Sequence, residues 1–298
     1  MAIKRYYATK DNTITNAFKS NLNTRGVSGN MGQSDILEVF SIVGQVSSST
    51  DGLSSELSRV LVEFDVDEIN SDRIAGNIPA SGSVNFFLKM YDAEHTQTTP
   101  KNYTLVVSAI SQSWNEGLGL DMEEYTDEDA SNWLSASVGT EWVDMSDTVQ
   151  PGGSYITGSP GALTEYLFTQ SFDTGFENLE IDVSHLVEDW IKGDLTNYGF
   201  GVQLTSSDET STNSFYTKMF FARGSQFFHK RPVVEARFDD SKKDNRGDFF
   251  LSSSLVPGAD NLMNLYLYNV VRGELKDIPG LGENDGVQVL NVNIYSGS

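Results

Sequence analysis

The chain has 298 residues, and its 42 Asp and Glu outnumber its 20 Lys and Arg, which gives a formal net charge of -22 without a single cysteine. This composition excludes disulfide scaffolds and cysteine-ligated zinc sites. It also argues against nucleic acid and anionic membranes as partners, because both require a cationic protein surface. No apolar run follows Lys4 and Arg5, so the sequence predicts no signal peptide.

Short segments of alternating apolar and polar residues recur along the chain. They are Ser58–Phe64, Ser83–Tyr91, Leu179–Val183 and Phe200–Leu204. In the first of them, Val60, Val62 and Phe64 lie on one face of the strand, and Arg59, Leu61 and Glu63 lie on the other. This period of two is typical of half-buried antiparallel strands. The sequence therefore predicts an all-β protein, an antiparallel, jelly-roll-like β-sandwich with two short helices and a small C-terminal β segment.

The two predicted helices have recognisable ends. One begins at Thr126, with Asp129 three residues later as in a capping box, and its apolar side includes Trp133. The other begins at Ser184 as N-cap, runs to Lys192 and ends at Gly193, where a left-handed glycine is favoured.

Near residue 240 the sequence becomes rich in charged residues and lacks apolar ones. We predict a sandwich domain at residues 1–240 and a charged linker at 241–248. The remainder, 249–298, contains three strand-like apolar runs, Phe249–Leu251, Met263–Tyr268 and Val287–Ile294. Three strands cannot bury two sheet faces by themselves. This segment is therefore expected to serve in docking or oligomerisation, or to be the start of an immunoglobulin-like domain.

The acidic run between Asp121 and Asp129 permits two interpretations. Its carboxylates offer a calcium site, for which Asp127 and Asp129 are the candidate ligands, although the EF-hand pattern is absent. The favoured alternative is stabilisation of a helix N-terminus by acidic residues in its first turn. We predict no metal and no cofactor.

No residue pattern supports catalysis. Glu180 and Asp182 share one strand face, but this face is expected to be solvated. The three histidines, His95, His185 and His229, lack metal-ligand spacing, and neither a nucleophile elbow nor a phosphate loop is present. We therefore predict no catalytic residues and a protein that is not an enzyme.

Tryptophan offers a route to sugar binding, because its ring stacks on pyranose faces. Trp133 and Trp190 fall on apolar helical stripes and are expected in the core. Trp142 lies among loop-forming residues and is the candidate glycan contact, while the role of Trp114 stays open.

The order of several motifs resembles the DNRLRE domain, a β-sandwich related to carbohydrate-binding modules. The motifs are Trp114-Asn115-Glu116-Gly117, Trp190-Ile191-Lys192-Gly193 and Arg231-Pro232. The resemblance covers about residues 1–240 and implies a sandwich fold in which Trp114, Glu116, Gly117, Trp190, Gly193, Arg231 and Pro232 are architectural. The loop from Gly117 to Tyr166 is longer and more acidic than such a module needs, and the eponymous motif is not evident.

Two further segments, Tyr6–Thr15 and Asn264–Gly273, resemble virion structural proteins of tailed phages, especially marine ones. This resemblance implies a structural component of a fibre, neck, tail or capsid surface, assembled in the host bacterial cytoplasm and found in the virion. The implied partners are other virion proteins, bound through the C-terminal segment, and further copies of the chain. The alternative function is a carbohydrate-binding adhesion module for a host-surface glycan. The third, an enzyme such as a polysaccharide depolymerase, has the least support.

Overall fold

The structure, a computed structural model, describes residues 2–48, 52–96, 99–144, 146–156, 166–240, 254–263, 265–272, 274–276 and 278. The chain divides into two compact units, Met1–Asp239 and Asp240–Ser298. The predicted linker at 241–248 lies outside the described residues. In the described part of the chain, no helix is long and apolar enough to cross a membrane.

The first unit is built mainly from antiparallel strands, so the predicted all-β class is confirmed. In the described part of this unit the strands are β1 (Ala2–Thr15), β2 (Ile36–Ser48), β3 (Gly52–Phe64), β4 (Val84–Met90), β5 (Tyr103–Ala109), β6 (Ser135–Ser137), β7 (Thr140–Glu141), β8 (Leu167–Phe172), β9 (Leu179–Asp182), β10 (Phe200–Leu204), β11 (Phe215–Phe221) and β12 (Val233–Phe238).

Strand β1 belongs to both layers of the sandwich. Its first half, residues 2–7, pairs with β12, and its second half, residues 8–15, pairs with β3. The register shifts between Ala8 and Lys10, where a bulge lets the strand turn from one layer to the other. The first layer continues from β12 to β4 and β9, and the second from β3 to β10, β5 and β8. We call these layers sheet 1 and sheet 2.

The two sheets come close to forming a closed barrel. Strand β2 pairs with β3 on one side and with β11 on the other. The chain just after β4 then bonds to β11, where Phe221 N donates to Tyr91 O (3.1 Å) and Ala93 N donates to Met219 O (3.0 Å). Pairing of this kind removes open strand edges, which are otherwise sites of aggregation.

The main core lies between the sheets. On β4 the predicted inward residues Val84, Phe86, Leu88 and Met90 are buried, and Asn85 is exposed. Opposite them lie buried residues of sheet 2, including Val60, Val62, Leu105, Val107, Phe200 and Val202. Each fully buried side chain of this size contributes roughly 1.5–3 kcal/mol, so this core is the main source of stability.

The described helices are α1 (Val66–Ile74), α2 (Ser184–Lys192) and α3 (Ser206–Glu209). The prediction of α2 is confirmed, including its end at Gly193, whose φ of 79° is left-handed. Ser184 begins the helix but does not cap it, because its hydroxyl donates to Asp182 Oδ1 (2.6 Å). Helix α1 was not predicted, although Asp65 caps it by accepting from Asp67 N and Glu68 N.

The helix predicted to begin at Thr126 is wrong, since residues 126–130 form turns and irregular backbone. The polar groups that would cap a helix bond to residues outside the predicted helix instead. Thr126 Oγ1 accepts from Asn30 N (3.0 Å), and Asp127 Oδ2 accepts from Leu118 N (2.9 Å). These contacts hold the segment as a loop.

Residues 111–144 and 146–156, which we call the covering segment, lie over the outer face of sheet 2. Trp133, Trp142 and Tyr155 of this segment form a second buried cluster with Ile14 and Leu61 of the sheet. Leu61, on the strand face opposite Val60 and Val62, is therefore completely buried by the covering segment. Strand alternation alone cannot reveal a layer contributed from far along the chain.

In the second unit, the described residues contain a 3-10 helix at Gly258–Asn261 and a small antiparallel pair, β13 (Asn269–Val271) with β14 (Glu274–Lys276). Of the predicted strand Met263–Tyr268, the described residues are not in a strand. The other two predicted runs, Phe249–Leu251 and Val287–Ile294, lie outside the described residues.

Candidate functional site

The Trp114-Asn115-Glu116-Gly117 motif fastens the covering segment to the sandwich. Trp114 is buried, and its indole Nε1 donates to Tyr198 O (2.8 Å). Gly117 has a φ of 80°, and a Cβ at this position would lie 2.3 Å from the Ala130 Cβ. Only glycine combines this backbone conformation with this close approach.

Glu116 is the centre of the motif's polar contacts. Its carboxylate accepts from Arg223 Nε (3.0 Å) and Nη2 (2.7 Å) and from Asp11 N (2.9 Å). A bidentate arginine–carboxylate pair fixes direction as well as distance. Glu116 therefore joins three separate parts of the chain: β1, the covering segment and the loop that follows β11.

Asp11, beside this pair, is completely buried. One carboxylate oxygen accepts from Arg223 N, while Oδ1 has no hydrogen-bond partner among the described residues. Burial, together with the nearby Glu116, raises the pKa of Asp11 from 3.8 to about 7, against the opposing hydrogen bond from Arg223. Asp11 thus holds its proton far more readily than an exposed aspartate.

The remaining motif residues also lie in structural contacts. Trp190 is buried edge-on against Phe200, with ring centroids 4.8 Å apart. Arg231 Nε donates to Ser225 O (2.9 Å), and Pro232 O accepts from Ala8 N (3.0 Å) where β1 passes between the sheets. Gly193, described above, ends α2.

The prediction that Trp142 contacts a glycan is wrong. Its side chain is 0% exposed, and its indole Nε1 donates to Asn132 O (2.8 Å). The loop-like composition around Trp142 reflects the irregular backbone of the covering segment, whose interior this ring fills. A sugar has no access to it.

The calcium candidates Asp127 and Asp129 lie in a hydrogen-bonded turn. The Asp127 carboxylate accepts from Leu118 N (2.9 Å) and from Asp129 N (3.3 Å). Within the described residues, no group of three or more His, Asp or Glu side chains is placed to hold a metal ion. Likewise, Glu180 is engaged by Lys89 (3.1 Å) and Arg237 (2.6 Å) on the outer face of sheet 1.

A partly exposed group of aromatic rings and cations, which was not predicted from the sequence, lies where β1, β11 and β12 meet. Its members, named here the aromatic–cation surface, are Tyr7, Phe221, Phe227, Phe228, Lys230 and Arg231. Phe228 is 55% exposed and Phe227 is 44% exposed. The ring centroids of Tyr7 and Phe228 lie 4.3 Å apart, and those of Phe221 and Phe227 lie 5.6 Å apart, so the rings form two packed pairs.

The cations of this surface lie on the aromatic rings. The Lys230 ammonium is 4.7 Å from the Phe221 centroid and 5.7 Å from that of Phe227, and the Arg231 guanidinium is 5.3 Å from that of Phe228. In the described part of the chain, neither cation has a carboxylate within ion-pair distance. The sequence pattern from which this surface could have been predicted is the run of aromatic and basic residues Phe227-Phe228-His229-Lys230-Arg231.

A second exposed apolar group lies on residues 118–129, which we name the acidic loop. Leu118 is 78% exposed and Tyr125 is 64% exposed, with Leu120 between them in sequence. Asp121 Oδ1 accepts from the backbone N–H groups of residues 123, 124 and 125, and these bonds lower the pKa of Asp121. The loop is therefore an organised acidic segment that exposes three large apolar side chains.

Comparisons with models of known protein families and with curated proteins gave no match to this chain.

Proposed function

We propose that the chain is a non-enzymatic structural component of a phage particle, built on a DNRLRE-like sandwich. The phage assignment rests on the resemblance of Tyr6–Thr15 and Asn264–Gly273 to virion proteins. In this proposal the protein assembles in the bacterial cytoplasm and resides in the virion, where it binds other virion proteins and further copies of itself. The second unit is proposed as a docking segment.

One observation supports a structural role above the others: the first unit displays two exposed apolar groups of opposite charge. The aromatic–cation surface and the acidic loop both expose large side chains to solvent. Clustered apolar side chains with charged neighbours are typical of interaction surfaces rather than of a solvated coat.

The buried charged groups support the same conclusion, because they fasten the structure internally. Arg59 donates to Glu209 (2.6 and 2.9 Å) and to Gly152 O (2.8 Å), and so anchors the covering segment to sheet 2. Arg73 pairs with Glu188 (2.6 and 2.8 Å), which joins α1 to α2. The ion pairs of these side chains therefore hold the elements of the first unit together.

Mass spectrometry of purified phage particles from a host that carries the gene tests this proposal. The protein is expected in stoichiometric amount in intact particles and to remain after salt washes that remove loosely bound proteins. A co-purified soluble host protein of similar abundance in the lysate is the control. Absence from intact particles would refute the proposal.

The second candidate function is a carbohydrate-binding adhesion module. The aromatic–cation surface favours it, because exposed rings stack on sugars and the cations attract acidic ones. A host-glycan array tests this candidate with the full chain and with Phe228→Ser. Binding that the substitution removes would support adhesion, whereas the absence of binding to any host glycan would eliminate it.

A further inference from the structure

We propose that the aromatic–cation surface of one molecule binds the acidic loop of a second copy of this chain. The inference rests on the proposed structural function and names the surfaces through which copies meet. It follows from three observations: the exposure of the rings, the exposure of the loop's apolar side chains, and the opposite charge of the two surfaces.

The aromatic–cation surface has the composition of an interface centre. It exposes Phe227 and Phe228, supported from behind by Phe221 and Tyr7. Aromatic residues and arginine are the groups most enriched where binding energy concentrates. The rings are held by their neighbours, so little side-chain freedom is lost when a partner covers them.

The acidic loop is built to present its apolar side chains. Its backbone is fixed by Asp121 and by Glu123, whose carboxylate accepts from Ser20 N. Met122 packs so closely on the chain at Gly26 and Gly29 that a Cβ at Gly29 would lie 2.5 Å from the Met122 Cβ. With this residue anchored inward, Leu118, Leu120 and Tyr125 are left facing solvent.

Charge selects the partner. The chain carries a net charge of -22, and within the described residues Lys230 and Arg231 are two neighbouring cations that have no carboxylate within ion-pair distance. The acidic loop offers Glu124, Glu128 and Asp129, all exposed, in addition to its exposed apolar side chains. Opposite potentials steer two surfaces together and suppress like-charged pairings. Nucleic acid and anionic membranes fit less well, because the rest of the molecule repels them.

The two surfaces are different parts of the molecule, which determines the kind of assembly. A contact between two unlike surfaces is heterologous. When two molecules meet in this way, the pair still has one free aromatic–cation surface and one free acidic loop, so further molecules can add to form a ring or a filament. Growth stops at a dimer only if both contacts form between the same two molecules. Repeated copies in a particle can assemble through such a contact.

Sedimentation velocity of the full chain tests the inference with two variants. The surface variant carries Phe228→Ser and Lys230→Glu, and the loop variant carries Leu118→Ser, Glu124→Lys and Tyr125→Ser. Each is expected to weaken self-association about tenfold or more relative to wild type. Raising the salt concentration is expected to weaken the wild-type association as well, because exposed charge pairs are screened.

Mixing the two variants gives the decisive readout. Each retains the surface that the other lacks, so the mixture is expected to form a one-to-one heterodimer at concentrations where each variant alone associates far less than wild type. The control variant carries Ile74→Ser and Lys101→Glu, exposed residues outside both surfaces, and is expected to associate like wild type. Circular dichroism verifies that all variants are folded.

Three outcomes would overturn the inference: a wild-type chain that stays monomeric at its highest soluble concentration, a variant mixture that stays monomeric, or unchanged association in the surface variant. If the surface variant instead loses glycan binding but self-associates like wild type, the aromatic–cation surface is a glycan-binding site and not an interface between copies. Absence of the protein from particles would refute the proposed function alone, since heterodimer formation in solution would stand independently.

Discussion

Individual buried charges determine how loops attach to this sandwich, and Lys218 shows the principle. Its side chain is 1% exposed, and its ammonium donates to Asp92, to Gly175 O (2.8 Å) and to Glu177 O (2.9 Å). Burial lowers the pKa of Lys218, and the contact with Asp92 opposes this effect. All three donors are satisfied, which is the condition under which a buried cation is tolerated.

We expect Lys218→Met to destabilise the protein by about 3 kcal/mol, because it leaves Asp92 and two carbonyl groups without their donor. Urea unfolding followed by tryptophan fluorescence measures the change. Lys192→Met, which removes a half-exposed lysine from its 3.4 Å contact with Asp189, should cost less than about 1 kcal/mol. Equal effects of the two substitutions would contradict the role assigned to Lys218.

Asp11 makes stability depend on pH. Its pKa is about 7 in the folded chain and 3.8 in an exposed aspartate, so the folded state holds the proton more tightly. This stabilisation is complete below about pH 4 and is lost as the pH rises toward 7. Asp11→Asn stays neutral and can still accept from Arg223 N, so the variant should gain stability relative to wild type across this range, by up to about 1.4 kcal/mol per pH unit. Urea unfolding at a series of pH values measures the free energy of unfolding of both proteins. The same dependence of this free energy on pH in wild type and in the variant would refute the prediction.

At the scale of elements, the sequence predicts what local periodicity controls. The alternation in β4 and the apolar stripe of α2 were sufficient to predict both elements, because each is made of neighbours in sequence. The helix expected at Thr126 failed because the hydroxyl of Thr126, its expected cap, accepts from Asn30 N nearly a hundred positions away. The prediction for Trp142 failed because the covering segment buries its ring in a cluster with Ile14 and Leu61 of sheet 2, and local pattern does not reveal this packing. The aromatic–cation surface combines Tyr7 with residues beyond 220, and no local pattern joins these.

The covering segment depends on the turn at Gly117. Gly117→Ala adds a methyl group where there is no room and forces a left-handed φ, so we expect a loss of about 2 kcal/mol or more. Gly139→Ala is the matched control, because Gly139 has a φ of 67° and open space around it. It should cost only the conformational strain, about 1 kcal/mol. Thermal unfolding of both variants compares them, and equal losses would show that the close approach at Gly117 is unimportant.

At the scale of the whole molecule, the core clusters lie entirely within the first unit. A chain truncated to residues 1–240 should therefore keep its cooperative unfolding transition. The fragment 249–298 should show none, since its described residues offer a single short strand pair and many exposed apolar side chains. Circular dichroism during heating tests both pieces. A cooperative melt of the fragment, or an unfolded 1–240 chain, would contradict this division.

The course of β1 through both sheets has a consequence for the order in which the protein matures. Residues 2–7 pair with residues 233–238, so the sandwich closes only after the last of its strands has left the ribosome. Pairing across such a sequence separation is slow, because a long loop must close before any contact forms. Tyr7 and Phe228 meet through that same closure. A nascent or misfolded chain therefore lacks the complete aromatic–cation surface, and only finished molecules would be competent to join an assembly.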